Sequence, residues 1–490
     1  MKFSEYQEAI FRHVEKQAGH LVIEAVAGAG KTTTLKEIGR RLPQNQRILF
    51  CAFNRHIADE LRGQLPEHIS LATIHSLGRK ALNGAQLNQA RYWHLIRAEL
   101  SENYKKYAWL LQILPFPEAT SYLRELLHVA QSYLAESGLQ ALEHALQIGI
   151  PPVWNSQNQK KEIAHLLDTL LDKAILSFEK SHEIDFPDML WLPHQLQLAH
   201  KLPKFDVILV DEAQDLSRAQ LNIVLNCLAP GGRIIAVGDP HQAIYAFAGA
   251  DPDSLARIKH TLQAESLPLA ACYRCPKNHI LQLAQRFNPR IQPARHDSGP
   301  LRSTTANNYK PHPGDLIICR QNQPLVELAL DLLKQKIPCQ IRGKDLLSHL
   351  KSTIRSTAPD PYSPIAHLHR IDQWTQIHLQ ALQDMPQQKQ DFLDKINCIK
   401  TLVSTANATS LSLLELFLDS MFADHKKNNH TIWLSTIHRA KGLEANSVVL
   451  LPPKSLIKPS TQTEALQERN LNYIAATRAK HSLLLLDNPI

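Results

Sequence analysis

Apolar positions in this chain fall mainly into short continuous runs separated by amphipathic stretches. Leu21 to Val26, Ile48 to Phe53, Ile69 to Ala72, Phe205 to Val210, Arg233 to Val237 and Leu267 to Ala271 read as buried strands. Runs of this length and composition suit strands covered on both faces. Between them, Leu35, Ile38 and Leu42, then Ile57, Ala58 and Leu61, recur at helical spacing. Strands alternating with helices predict parallel sheets, with functional loops at the strand C-termini. A second alternating unit runs from Asp315 to Arg320, through a helix at 324–335, to Ile341. It resumes at Ile432 to Ser435, Ser447 to Leu451 and Ser482 to Leu486. The pattern predicts an α/β fold with two sheet domains. The first comprises 1–85 and 181–265, interrupted by a helical insertion at 86–180. The second comprises 266–345 and 428–490, interrupted by a small helical, polar insertion at 346–427. Ser, Pro, Asn and Gly mark 298–314 as a linker. There is no repeat of fixed period.

Composition narrows the function classes. The 490 residues are enough for about three domains at ~150 residues each. No run of eighteen apolar residues occurs, so no membrane span is expected. The N-terminus lacks an apolar signal core, and seven cysteines in so long a chain suit a reducing cytoplasm. Cys272-x-x-Cys275 has no second pair near it, so no metal site is expected there. The net charge of +8 suits a polyanionic partner.

The densest chemistry lies at Ala27-Gly28-Ala29-Gly30-Lys31-Thr32-Thr33, between the first strand and the first long helix. Strand, glycine turn and helix are what a phosphate-binding loop requires. Its backbone N–H groups would close around phosphate oxygens, aided by the helix N-terminus. Lys31 would neutralise the outer phosphates of ATP, and Thr32 would place its hydroxyl on Mg²⁺. Ala25 stands where the strict pattern has its first glycine. Asp211-Glu212-Ala213-Gln214-Asp215 follows an apolar strand. Asp211 would hold Mg²⁺, and Glu212 would orient and deprotonate the attacking water. Gln242, in Gly-Asp-Pro-His-Gln, is a candidate sensor of the γ-phosphate. Arg274 is a candidate γ-phosphate arginine, Tyr273 a candidate adenine stacker, and Gln7 lies at the right distance upstream to reach the adenine edge.

Other residues at strand ends suit a nucleic acid. Phe53, Asn54, Thr73 and His75 fall at such ends. Phe53 also reads as a core aromatic, and His75 as a helix cap. Tyr245 and Phe247, set among small residues, would offer faces for base stacking, worth ~1–3 kcal/mol per base; two core aromatics would give the same pattern.

Taken together, Asp-Glu-Ala-Gln-Asp, Val-Gly-Asp-Pro-His-Gln-Ala-Ile-Tyr, Lys-Gly-Leu-Glu (441–444) and Tyr-Ile-Ala-Ala-Thr-Arg-Ala (473–479) resemble UvrD/Rep-type superfamily 1 helicases. The resemblance runs from Phe3 to Leu486. The wording at Phe53-Asn54 and Tyr-Arg-Cys-Pro is similar to the F-box DNA helicase subgroup, with no F-box segment evident. It implies two RecA-like P-loop NTPase lobes, with ATP in the cleft between them. By position, Gln7 and Tyr273 hold adenine; Lys31, Thr32, Asp211 and Glu212 form the Mg-ATP centre; Gln242, Arg274 and Arg478 surround the γ-phosphate. Glu444 matches a residue near the ribose or phosphates. Phe53, Asn54, Thr73, His75, Phe186, Tyr245, Phe247, Thr436 and His438 are carried over to single-stranded DNA. The resemblance implies 3′ to 5′ translocation and unwinding at junctions of single- and double-stranded DNA. Ala248 stands where relatives often carry arginine, the 346–427 insertion is short, and the partner-binding tail is expected to be absent. These departures motivate an alternative: a motor subunit of a DNA-repair or anti-phage complex with a protein partner.

Overall fold

The apolar runs assemble into two six-stranded parallel sheets in a computed structural model of the chain, one in each of two units, Met1–Ala271 and Cys272–Ile490. The structure describes residues 3–16, 19–52, 55–114, 116–150, 152–381, 386–422, 431–454, 459 and 462–487. Among these, no helix is long and apolar enough to cross a membrane.

The first sheet contains β1 (Leu21–Ala25), β2 (Ile48–Ala52), β3 (Ile69–Thr73), β4 (Phe205–Val210), β5 (Leu228–Gly238) and β6 (Glu265–Leu269). Their spatial order is β3-β2-β4-β5-β1-β6, with every pairing parallel. Because β6 pairs with β1, from Leu21↔Glu265 to Ala25↔Leu269, the first unit extends to Ala271 rather than ending at 265. The order places the C-termini of β4, β5 and β1 side by side on one edge. Helix α1 (Glu5–Glu15) opens on a capping box in which Ser4 and Gln7 satisfy each other's backbone N–H. Helix α2 (Lys31–Arg41) leaves β1 through the glycine turn, and α3 (Ile74–Ala81) leaves β3.

The segment 86–180 carries five helices, from Arg91–Glu102 to Gln157–Ser181. A short ribbon, Gln86–Leu87 against Glu183–Ile184, brings the chain back beside its point of departure. The anchor is polar and buried. Arg91 pairs with Asp188 at the start of α4 (Asp188–Gln195), and Tyr92 and Gln131 bond to the same carboxylate. Burial and the neighbouring Asp185 push Asp188 up to about 7, while Arg91 pulls it back. Helix α3 passes so close to α4 that a Cβ on Gly78 would lie 1.9 Å from the Met189 carbonyl oxygen.

The second sheet contains β7 (Leu301–Thr304), β8 (Leu316–Cys319), β9 (Cys339–Ile341), β10 (Ile432–Thr436), β11 (Ala445–Leu451) and β12 (Ala479–Leu486), in the order β7-β12-β11-β8-β10-β9. The expected linker at 298–314 therefore contains an edge strand. Leu301-Arg302-Ser303-Thr304 carries no apolar run because it is paired on one side and largely exposed. The helices Lys344–Thr357, Pro364–Ala381, Pro386–Thr405 and Leu411–Met421 fill the 346–427 region. They are less polar in effect than the sequence suggested. Ile354, Ile371, Ile399, Leu402 and Leu414 join Ile317, Ile432 and Leu434 of the sheet in one hydrophobic core.

Overpacking a close helix contact of this kind costs ~1–3 kcal/mol. Gly78→Ala is expected to lower the thermal midpoint of the first unit by several degrees, read by differential scanning calorimetry. An unchanged midpoint would mean that α3 and α4 are free to separate.

Candidate functional site

The turn after β1 depends on two glycines in the left-handed region, Gly28 at φ 67° and Gly30 at φ 80°. Side-chain-bearing residues rarely adopt this conformation. Gly30 is the N-cap of α2, and no side chain caps the helix. The first N–H groups of α2 therefore face outward without a capping acceptor, as an anion site requires. Val26 and Ala29 close the turn by a backbone bond of 3.3 Å.

The strand order brings three more segments to this turn. Lys31 Nζ lies 2.8 Å from Glu212 Oε2, and Thr32 Oγ1 donates to Asp211 Oδ2 at 2.7 Å. Burial works to lower Lys31, but Glu212, Asp239 and Asp211 outweigh it and hold the ammonium above its ordinary value. Asp211 is pushed up to about 6 by burial and by Glu212, against the pull of Lys31. Asp239, fully buried at the end of β5, is also pushed up to about 6 by burial, again opposed by Lys31. Three carboxylates thus share one ammonium. The Thr32 hydroxyl and Asp211 carboxylate are hard oxygen donors of the kind Mg²⁺ takes. The surplus of buried negative charge fits a divalent cation at that point.

Two residues quoted in the motifs but given no role hold this centre together. Gln214 donates to Glu212 Oε2 at 2.7 Å and to Asp215 Oδ2 at 3.1 Å, and accepts from the Asp239 N–H at 3.0 Å. Asp239 accepts from Gln242 Nε2 at 2.7 Å. Their signal was present in the sequence as buried-type polar residues beside the assigned ones, at positions no single strand explains. Gln242 is thus tied to the same cluster as Lys31. Gln7 is buried, and its amide donates to Thr34 Oγ1 of α2 at 3.1 Å, so it is fixed to the phosphate-loop helix.

In the second unit Arg274 bonds Glu444 Oε2 at 2.7 Å and the Thr477 carbonyl at 3.2 Å, and Lys480 pairs with the same Glu444. Burial would raise Glu444, but Lys480 and Arg274 hold it below the usual range. Tyr273 beside Arg274 is exposed. Cys272 and Cys275 flank the pair; the bond from Cys275 lowers the Cys272 thiol to about 7 despite burial. Arg478 is 1% exposed, and its donors go to the Ile474 and Leu443 carbonyls and Thr477 Oγ1. In this state its guanidinium is occupied within its own unit.

The candidate nucleic-acid residues divide. His75 and Phe186 come together, ring centroids 5.3 Å apart at 59°, although 111 positions separate them in the chain. Phe186 is 48% exposed. With His128 they line a 190 Å³ cavity. Burial, then His128, lowers His75 to about 4, so it is neutral near pH 7 and is no phosphate cation. The cap of α3 is Thr73, not His75: Thr73 Oγ1 accepts from the Ser76 N–H at 3.3 Å. Thr436 repeats the device in the second unit, capping the short helix Ile437–Ala440. His438 is half-buried, and desolvation followed by Arg320 and Arg439 lowers it to about 3. Tyr245 is half-buried at the start of a 3₁₀ turn. Phe53, Asn54 and the side chain of Phe247 lie outside the described residues.

Comparison with known proteins matches two family models. Residues 5–263 match the UvrD/REP helicase N-terminal domain, and residues 347–488 the UvrD-like helicase C-terminal domain. F-box DNA helicase protein 1 of Schizosaccharomyces pombe is 25% identical over 95% of this chain and 55% of its own length. F-box DNA helicase 1 of Gallus gallus is 26% identical over 59% of the chain and 27% of its own. The ATP-dependent DNA helicase PcrA of Leuconostoc citreum is 25% identical over 54% and 36%. The chain thus spans about half the length of the first of these relatives and less of the others. With the N-terminal match alone covering more than half of its residues, the chain belongs to the UvrD/REP helicase family.

Proposed function

We propose that the protein is an ATP-dependent DNA helicase that moves 3′ to 5′ along single-stranded DNA and opens junctions with duplex. The observation that carries this reading is the joining of Lys31 to Glu212 and of Thr32 to Asp211 beside an uncapped helix N-terminus. The α2 N–H groups and Lys31 would hold the β- and γ-phosphates. Thr32 and Asp211 would hold Mg²⁺, which would supply positive charge against the negative charge of the phosphates. The γ-phosphate would compete with Glu212 for Lys31. Glu212, so released, would accept a proton from the water attacking phosphorus as the bond to ADP breaks. Gln242 would sense the γ-phosphate through its bond to Asp239. Arg274 and Arg478 would stabilise the transferring phosphoryl group, Tyr273 and Gln7 would hold adenine, and Glu444 would act near the ribose.

Single-stranded DNA would meet Phe186 over His75, the Thr73 and Thr436 turns, His438, and the Tyr245–Phe247 segment, with Phe53 and Asn54 assigned by resemblance. A second reading is a motor subunit that unwinds little without a partner in a repair or defence complex. The folding of the 344–421 helices into the second sheet's core favours it, because they form no separate body to grip a junction.

Steady-state ATP hydrolysis with single-stranded DNA, duplex or RNA tests the proposal. Strong stimulation by single-stranded DNA is expected; its absence, with ATP still bound, would favour the partner-dependent reading. Lys31→Ala is expected to remove at least ~10²-fold of turnover while DNA affinity stays within about twofold, given how fully phosphoryl transfer depends on electrostatic positioning. Appreciable residual turnover would contradict the assignment. Phe186→Ala is expected to cost ~1–3 kcal/mol of single-strand affinity by fluorescence anisotropy, with hydrolysis in the absence of DNA unchanged. Unaltered affinity would leave Phe186 outside the DNA path.

A further inference from the structure

The helices of the second unit cover only part of its sheet. The Gln323–Lys334 helix lies against β8, β9 and β10, and the 344–421 helices extend that layer. Beyond it, β11, β12 and β7 floor an open groove of about 660 Å³, walled by the loop that follows β7. Arg302, Leu484 and Val449 lie in one cross-strand row of this floor, with Ser482 and Ser447 paired two positions earlier along β12 and β11. Arg302 and Lys310 are exposed, as is His312. Among the described residues neither Arg302 nor Lys310 has an ion-pair partner. The one carboxylate lining the groove, Asp315, is buried and already accepts from the Tyr309 hydroxyl at 2.5 Å and the His312 N–H at 2.8 Å. Asp487, just after β12, accepts from the Ala306 N–H at 3.1 Å.

We propose that this groove binds the phosphate backbone of duplex DNA, as a contact separate from the single-strand path. Free cations with hydroxyls around them are the chemistry that holds phosphates and sugars. The same groove is poor for unpaired bases. Tyr309 is packed against the hydrophobic core and pinned through its hydroxyl, so its face is not offered for stacking, and the only other ring in the lining is the small imidazole of His312. A duplex keeps its bases inward and presents only backbone to such a surface. Recognition of this kind is independent of sequence and depends on salt.

The test is Arg302→Gln with Lys310→Gln in the full chain, both at exposed positions remote from the ATP residues in sequence. Binding is measured by anisotropy across a salt series, on a short single strand and on the same strand extended into a duplex. The expected result is duplex-junction affinity about 10-fold weaker, a log–log salt slope smaller by about 2, and single-strand affinity within twofold. Unchanged junction affinity and slope would overturn the proposal. Equal weakening on both DNAs would also overturn it, by placing the groove on the single-strand path. Absence of single-strand binding by the wild-type chain would instead strike the helicase reading, and the junction arm would still decide this one.

Discussion

Three carboxylates, two of them buried and the third half-buried, sharing one ammonium is the constraint around which the first unit is built. Asp211, Glu212 and Asp239 surround Lys31, and burial, with Glu212 added, raises Asp211 and Asp239 against the pull of that one cation. Such a cluster persists only where backbone geometry imposes it and hydrogen bonds spread the charge. The strand order supplies the geometry. With β5 between β4 and β1, Asp239 emerges between the acids that follow β4 and the lysine that follows β1. Gln214 and Gln242 supply the bonds. In the proposed reading the cost would be offset by ligands of matching charge: a divalent cation on the acids and a polyphosphate on the lysine and the helix N-terminus.

The two units share one local device. Thr73-Ile74-His75 and Thr436-Ile437-His438 each end a parallel strand and start a helix, with the threonine hydroxyl capping the turn. Each histidine is held neutral by burial, and each isoleucine is buried beneath it. The turn is thereby fixed by packing and capping rather than by charge, which in the proposed reading would suit contact with a strand of any sequence.

Most of this was legible along the chain because it is local. A parallel strand covered on both faces must be apolar throughout, so ten of the twelve long-sheet strands announced themselves, and the chemistry sat at their ends. What could not be read was set by neighbours. β7 is an edge strand with half-exposed residues, so its sequence resembles a loop. β6 was placed with the second domain because only its pairing with β1 assigns it to the first. Asp239 and Gln214 depend on strands brought together from opposite ends of the unit. The helix cap went to Thr73 instead of His75 because the hydroxyl, one residue before the first turn, reaches the Ser76 N–H.

The helices at 344–421 show how connectivity shapes surface chemistry. They lie between β9 and β10 in the chain, and those strands form one end of the second sheet. Short connections keep them at that end, where their apolar residues complete a core with β8, β9 and β10. That core takes in Val449 of β11 and Leu486 of β12 but leaves Ser447, Ser482 and Arg302 outside it. A sheet face left uncovered in water is unfavourable if it stays apolar, and here the sequence answers with Ser447, Ser482 and Arg302 in place of further leucines. Solvation alone would be met by any mixture of charges. Cations predominate, and the groove's one acid is withdrawn into bonds with Tyr309 and His312. That one-sidedness, on a chain of net charge +8 in a family of DNA helicases, is what separates a merely wettable face from one suited to a polyanion.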